Sequence, residues 1–207
     1  MLQEKLPVEI KVKKLSDGPE KVIYFPRVVG MTDSSFQRTI NESIEHQVHQ
    51  MIATQETNMS SPVEEMDGYF EIKNNQCQVL SLTQTNYTYH RHAAHGLTIL
   101  RSLTFDLIEK RTCTLRDLFK PGSNYVKRLS DIVHQQIKTR DIPLIEEFDS
   151  IKPNQSYYLA DKCLVLYFQV YELTAYVYGF PMFPISIYEV SDIIREDGPL
   201  GRLSENN

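Results

Sequence analysis

The chain has 207 residues, a length that suits one large domain or two small ones. Folding hides roughly 70% of the surface that an unfolded chain of this size exposes, so neither disulfides nor a structural metal are required. The 22 basic and 27 acidic side chains give a net charge of −5 with no long basic block, which argues against a nucleic-acid partner. Cys77, Cys113 and Cys163 form no C-x-x-C pair, so we expect reduced thiols and no zinc site.

No export or membrane segment is recognisable in the sequence. Charges interrupt the first thirty residues every few positions, leaving no apolar core for a signal peptide. The longest apolar run, Cys163 to Phe168, has six residues, whereas crossing a bilayer takes roughly 20. These features predict a cytoplasmic protein, or an extracytoplasmic one if the sequence is a piece trimmed of its signal or anchor.

The first part of the chain predicts a hairpin followed by a helix. Val8 to Leu15 and Lys21 to Phe25 are rich in β-branched and aromatic residues, and the Ser-Asp-Gly-Pro between them has turn chemistry at every position. Thr32 or Asp33 can cap the helix that follows. Its apolar residues recur every three or four positions: Phe36, Ile40, Ile44, Val48, Met51 and Ile52.

The middle of the chain predicts further strands. Tyr69 to Lys73 and Cys77 to Tyr89 indicate a hairpin with a tight turn at the two asparagines between them, because asparagine tolerates positive φ. Residues 97–107 alternate between apolar and polar positions, as a strand with one buried face does. Arg101 interrupts the apolar side, where we expect its stem to lie along apolar surface.

A second helix and a second group of strands are predicted in the last part of the chain. Tyr125 to Lys138 places its apolar residues on one side of a helix. Tyr157 to Leu159 and Cys163 to Phe168 predict two strands, of which the second is too continuously apolar to be an edge. A last strand is predicted at Ile185 to Tyr188, and the tail after Gly198 is expected to fray.

The order of these elements defines the predicted fold class. Strands and helices are segregated along the chain and do not alternate regularly, so we predict α+β, with antiparallel sheets packed by two main amphipathic helices. Residues 1–90 are expected to form an N-terminal α+β subdomain and residues 91–207 a C-terminal domain. One continuous compact unit is the alternative.

Three of the six histidines lie close together at His90, His92 and His95. On an extended chain His90 and His92 project to the same face, as two imidazoles approaching one ion would. A metal-dependent hydrolase is therefore an alternative function. The sequence has no H-E-x-x-H motif, however, and the charge of Arg91 would weaken cation capture, so a polar titratable loop is the other interpretation. We expect neither a metal nor a cofactor.

Other signatures of catalysis are missing from the sequence. The serines lack a G-x-S-x-G context, and the glycines form neither a phosphate loop nor a dinucleotide motif. The adjacent acids Glu64-Glu65 and Glu146-Glu147 are expected to be hydrated surface, since a glycosidase pair must flank a bond across a cleft. The chain is predicted not to be an enzyme.

Twelve tyrosines and no tryptophan occur in the chain. Tyrosine combines a broad apolar face with a polar tip and is favoured at binding surfaces, although it also fills the edges of cores. Five tyrosines are concentrated near the C-terminus: Tyr167, Tyr171, Tyr176, Tyr178 and Tyr188.

A series of short blocks in fixed order carries a resemblance to a known family. The blocks are Gly96, Thr-Phe-Asp-Leu at 104–107, Thr-Leu-Arg-Asp-Leu-Phe at 114–119, Tyr-Tyr-Leu at 157–159, Leu-Val-Leu-Tyr-Phe at 164–168 and Tyr-Glu-Leu-Thr-Ala-Tyr-Val-Tyr-Gly at 171–179. They resemble the C-terminal domain of RsiV-like proteins, and the first ninety or so residues resemble its usual N-terminal companion. This pair occurs in the extracytoplasmic part of the anti-sigma factor RsiV and beside the catalytic domain of the peptidoglycan deacetylase PdaC.

The resemblance implies a fold without known catalysis and, for the RsiV branch, binding of lysozyme as a signal of cell-wall stress. The sequence departs from the family at residues 109–111, where a glycine-containing turn is usual, and at residues 174–176, which lack a common proline. The anti-sigma segment, the transmembrane helix and the deacetylase domain do not occur in it.

These observations together predict a non-catalytic binding module for a protein or cell-wall ligand, with no membrane segment. A protein-interaction domain in the cytoplasm is a further alternative, and no oligomeric state is predicted. The predicted ligand contacts are Tyr171, Glu172, Tyr176, Tyr178 and Gly179.

Overall fold

A computed structural model describes residues 6–205. The helices are α1 (Ser34–Glu56), α2 (Tyr125–Thr139) and α3 (Pro199–Ser204). The strands are β1 (Glu9–Ser16), β2 (Lys21–Val29), β3 (Val63–Gln76), β4 (Val79–His90), β5 (Leu97–Asp106), β6 (Arg111–Thr112), β7 (Tyr157–Ala160), β8 (Cys163–Tyr167) and β9 (Met182–Ser186). One sheet has the order β1-β2-β3-β4-β5-β6 and the other the order β7-β8-β9. The pairing is largely antiparallel, with β2 and β3 parallel, and the predicted α+β class is confirmed.

The chain divides into two compact units. Unit 1 takes in the chain up to Ile72 together with Leu82–Leu103, and unit 2 takes in Lys73–Ser81 together with the chain from Thr104 onward. Strand β4 contributes to both units, because it passes from one to the other between Ser81 and Leu82. The division into residues 1–90 and 91–207 stays a prediction.

In unit 1 the predicted hairpin and amphipathic helix are both present. Helix α1 begins after Asp33, whose Oδ1 accepts a hydrogen bond from the backbone N–H of Phe36 at 3.0 Å, a standard N-cap. Its buried stripe includes two polar residues, Asn41 and Gln55. The Asn41 side chain accepts from the N–H of Val28 at 2.8 Å and donates to the carbonyl of Val28 at 2.9 Å. The amide thus binds β2 to α1 in the way a neighbouring strand would.

The turn between β3 and β4 differs from the prediction. It lies at Cys77 and Gln78, with φ of 50° and 56°, and the predicted turn residues Asn74 and Asn75 are buried in β3. The Asn74 side chain donates to the carbonyl of Val79 at 2.7 Å, so it supports the turn from inside the strand. The prediction was wrong because asparagine side chains can also bond to the backbone of a nearby turn. Asn74 does so from a position in the strand that precedes the turn.

Unit 2 is organised around α2 and the three-stranded sheet. Strand β8 is central, as its continuous apolar sequence predicts, because it pairs with β7 on one side and β9 on the other. The apolar side of α2 packs into the same core as this sheet. The core includes Leu129, Val133, Ile137, Leu159, Leu164, Leu166, Phe183 and Ile185.

The C-terminal segment also differs from the prediction. The last strand ends at Ser186, and a short 3-10 helix occupies Ile187–Val190, so the strand predicted at Ile185 to Tyr188 is wrong for its last two residues. Helix α3 packs its leucines into the core of unit 2. Arg202 donates to Asp106 Oδ1 at 2.8 Å, and this carboxylate is fully buried. The prediction that the tail frays after Gly198 is therefore wrong for Pro199–Ser204, because tertiary contacts hold a helix that is too short to be stable alone. The last two residues of that tail lie outside the described residues.

None of the helices in residues 6–205 combines the length and apolarity needed to cross a bilayer.

Candidate functional site

The predicted binding residues lie on the connection from β8 to β9, which we call the tyrosine loop (residues 169–179). Leu173 and Thr174 are buried, and Leu173 belongs to the core of unit 2. This anchor leaves large side chains on either side of it in solvent, with exposed fractions of 53% for Tyr171, 82% for Val177 and 56% for Tyr178. A loop fixed at its middle therefore presents an apolar surface whose backbone is held in place.

The backbone of the loop carries local strain at Tyr171. Its φ is 64°, a region where a bulky side chain is a genuine outlier. The Tyr171 ring stacks on that of Tyr176, with centroids 5.6 Å apart and planes inclined by 30°. Gly179 ends the loop with a φ of 64°, which glycine adopts without a steric penalty. Residues held in such conformations cluster at ligand sites.

Glu172 fastens the loop internally. Its Oε2 accepts from the N–H of Gln169 at 2.8 Å, and its Oε1 accepts from Lys152 Nζ at 2.6 Å. Both carboxylate oxygens are therefore used inside unit 2. The contribution of Glu172 to ligand binding stays a prediction, and its geometry is that of a residue that shapes the loop.

A neighbouring segment extends the apolar surface. The N–H of Ile145 donates to the carbonyl of Leu173 at 3.1 Å, which places Ile145 beside the tyrosine loop. Its side chain is 51% exposed. Phe148 is buried and packs edge-on against Phe168 at 6.1 Å. Phe148 anchors this segment in the way that Leu173 anchors the tyrosine loop, and Ile145 remains available for contact.

The sequence did not reveal two members of this surface. Val177 and Ile145 are ordinary apolar residues, and nothing in their spacing distinguishes them from core residues. Val177 lies in a three-residue 3-10 helix, too short for any periodicity to show which side faces solvent. The density of tyrosine was the signal that located the loop.

The histidine cluster is not assembled as a metal site. His90 is buried, with Nδ1 2.7 Å from the carbonyl oxygen of Ser61 and Nε2 2.8 Å from that of Gln55. Both ring nitrogens thus face backbone oxygens. His92 has a φ of 63°, and Nδ1 of His95 lies 2.9 Å from the carbonyl oxygen of Gly96. Across residues 6–205, no group of three or more His, Cys, Asp or Glu side chains is placed to hold a metal ion.

Two of the thiols, the buried Cys113 and the partly buried Cys163, are poorly suited to nucleophilic chemistry. Burial raises the pKa of Cys113 to about 11, and burial also raises the pKa of Cys163. Because the thiolate is the reactive form, both groups are largely unreactive at neutral pH.

The fold and the exposed loop together define an α+β protein that presents apolar side chains on a loop anchored in the core. Residues 116–188, which contain the tyrosine loop, match a family described as "Protein of unknown function (DUF3298)". No curated protein matches the chain.

Two solved structures of DUF3298 proteins have a similar fold. One, from Bacteroides fragilis NCTC 9343, has a TM-score of 0.73 and 17% identity, and the similarity covers 97% of this chain and 99% of that one. The other, from Pseudomonas aeruginosa PAO1, has a TM-score of 0.69 and 13% identity and is covered fully, as is this chain. At such identities the likeness shows the fold alone.

Proposed function

We propose that this chain is a non-catalytic binding module of the RsiV-like type, which uses the tyrosine loop and Ile145 to hold another macromolecule. The observation that carries the proposal is the strained Tyr171, held with its ring stacked and half-exposed. A surface of fixed aromatic side chains loses little conformational entropy when it binds, and tyrosine is enriched among residues that dominate binding energy.

The charges beside this surface favour a basic protein as ligand. Glu146 and Glu147 follow Ile145 directly and are exposed, and the chain carries a net charge of −5. Together with the RsiV-like sequence blocks, this makes a C-type lysozyme the first candidate. A peptidoglycan fragment is the second, because the resemblance also extends to a peptidoglycan deacetylase.

The proposal that the module is not an enzyme is supported by the surroundings of His90 and Cys113. Both ring nitrogens of the buried His90 lie within 2.8 Å of backbone carbonyl oxygens, and the thiol of Cys113 is buried. His90, which the alternative metal-dependent hydrolase would use, is thus engaged by the backbone, and the Cys113 thiol is not exposed to a substrate.

Calorimetric titration of the whole chain tests the ligand. We expect saturable heat with C-type lysozyme, weakening as salt rises, because rim charges contribute mainly through screened electrostatics. Heat only with peptidoglycan fragments would assign the surface to the cell wall. No heat with either would refute both ligands.

The native location provides an independent test. The sequence predicts the cytoplasm, whereas lysozyme and peptidoglycan are encountered outside the membrane. Fractionation of native cells distinguishes the two. A cytoplasmic location would contradict both ligands and favour a protein partner inside the cell.

A further inference from the structure

A groove in unit 1, between α1 and β5, carries a positive charge, whereas the chain as a whole has a net charge of −5. It has a volume of about 490 Å³. Its lining contains one charged side chain, Arg101, and no carboxylate. The lining residues are Gln47, Gln50, Met51, Ala53, Thr54 and Arg101.

Arg101 differs from most arginines of the chain in having no acidic neighbour in its groove. Arg27 pairs with Glu45 at 3.3 Å, and Arg91 pairs with Glu64 at 2.7 Å. Arg101 is exposed, and its guanidinium has no ion-pair or hydrogen-bond partner within residues 6–205. In a chain with 27 acids and 22 bases, an uncompensated cation in a concave site gives a local positive potential.

The wall formed by α1 adds polar groups to this cation. Gln50 and Thr54 are one helical turn apart and so lie on the same face. The Gln50 side-chain amide has no hydrogen-bond partner in the described part of the chain, while the Thr54 hydroxyl donates to the carbonyl of Gln50 at 2.8 Å. Met51 is buried beneath them and provides an apolar floor. The groove thus combines a guanidinium with an amide donor.

We propose that this groove binds an oxyanion, a carboxylate or a phosphate, through the guanidinium of Arg101, with the amide of Gln50 as a second donor. The planar fork of arginine matches two oxygens of either group, and a charge-assisted pair of this kind is stronger than a neutral hydrogen bond. The site uses none of the residues of the tyrosine loop, so it goes beyond the proposed function and does not depend on it.

Nuclear magnetic resonance titration of the whole chain tests this site. Inorganic phosphate and acetate are added separately against chloride at constant ionic strength, while the Arg101 Nε–H and the Gln50 side-chain amide signals are followed. We expect both signals to shift to saturation with at least one anion. The anion that binds more tightly identifies the source as phosphate or carboxylate.

Variants separate the site from general charge effects. R101Q should weaken binding by about tenfold or more, and R101K, which keeps the charge without the fork, should retain part of it. R116Q is the matched control, because Arg116 is also exposed and without an ion pair in residues 6–205, but Asp117 shares its groove. Shifts that stay linear, that are equal at Arg116, or that survive R101Q would overturn the proposal.

Discussion

His90 joins three segments of unit 1. The ring at the end of β4 contacts the carbonyl oxygen of Gln55 in the last turn of α1 and that of Ser61 in the loop before β3. The Gln55 side chain in turn donates to the carbonyls of Asn86 and Leu97, at 2.9 and 2.8 Å. Buried carbonyls that lose their donors cost free energy, so this network should stabilise unit 1.

We therefore expect His90→Asn to lower the free energy of unfolding by about 2–3 kcal/mol, because the shorter side chain leaves a buried carbonyl unpaired. Urea unfolding followed by circular dichroism measures this. His49→Asn, on the exposed side of α1, is the control and should change stability by less than about 0.5 kcal/mol. Equal stability of the two variants would contradict this role of His90.

The structural role of His90 could not be predicted from the sequence. Its carbonyl partners lie 29 and 35 positions away, so no local pattern identifies them. Spacing showed that three histidines were near one another along the chain. Whether their nitrogens point to an ion or to backbone is decided by tertiary contacts that the spacing does not contain.

At the scale of elements, the β3–β4 turn is held in a costly conformation. Both turn residues have positive φ, which is the type I′ geometry that normally requires asparagine or glycine. Two contacts hold it in place. Arg202 Nε donates to the carbonyl of Cys77 at 3.2 Å, and the N–H of Leu107 donates to that of Gln78 at 3.0 Å.

Gln78→Gly should therefore raise the free energy of unfolding by about 0.5–1 kcal/mol, since glycine relieves the strain at an exposed position. Thermal unfolding measures the change. Gln76→Gly is the matched control, also exposed but in the strand, where glycine should destabilise by a similar amount. A lower melting temperature for Gln78→Gly would show that the turn is not strained there.

The two long helices and most strands follow from hydrophobic periodicity, because α1 and α2 each bury one stripe along their length. Helix α3 could not be predicted in this way, because its six residues are too few to show a hydrophobic period. Its stability comes from contacts with the core and from the pair of Arg202 with Asp106. These are tertiary contacts between residues far apart in the sequence, so no local sequence pattern can predict them.

At the scale of the whole molecule, unit 2 buries two groups that resist losing a proton. Burial raises the pKa of Cys113 from 9.0 to about 11. Burial also raises the pKa of Tyr157 well above 10.0, and its hydroxyl donates to the carbonyl of Cys113 at 2.7 Å. Because both acids are more readily ionised in the unfolded chain, their contribution to stability is full below pH 9 and declines as the pH rises.

We expect the free energy of unfolding to fall between about pH 9 and pH 11, and to fall less steeply in Cys113→Ala. Urea unfolding at a series of pH values measures both slopes. Removing the sulfur also changes the packing, but this shifts the free energy of unfolding equally at every pH and leaves the slope unchanged. Identical slopes for the two proteins would show that Cys113 ionises as easily in the folded state as in the unfolded one.

The proposed binding surface could only partly be predicted from the sequence. Tyrosine density drew attention to residues 171–179. In the structure Leu173 and Thr174 are buried and anchor this stretch, while Tyr171, Val177 and Tyr178 face solvent. Ile145 joins the surface through one backbone hydrogen bond to Leu173. That bond connects positions 28 residues apart, which composition cannot reveal.

The most direct test of the central claim is the affinity of Tyr176→Ala for C-type lysozyme, measured by calorimetry beside the unaltered chain. Removing this ring also removes the stacking partner of Tyr171, so we expect binding to weaken by about 2 kcal/mol, or roughly 30-fold. Tyr24→Ala, which removes an exposed tyrosine of unit 1, should bind as before, and mass spectrometry should recover the lysozyme chemically unchanged. Equal affinity of Tyr176→Ala and the unaltered chain, or covalent change in the lysozyme, would contradict a non-catalytic module that binds through the tyrosine loop.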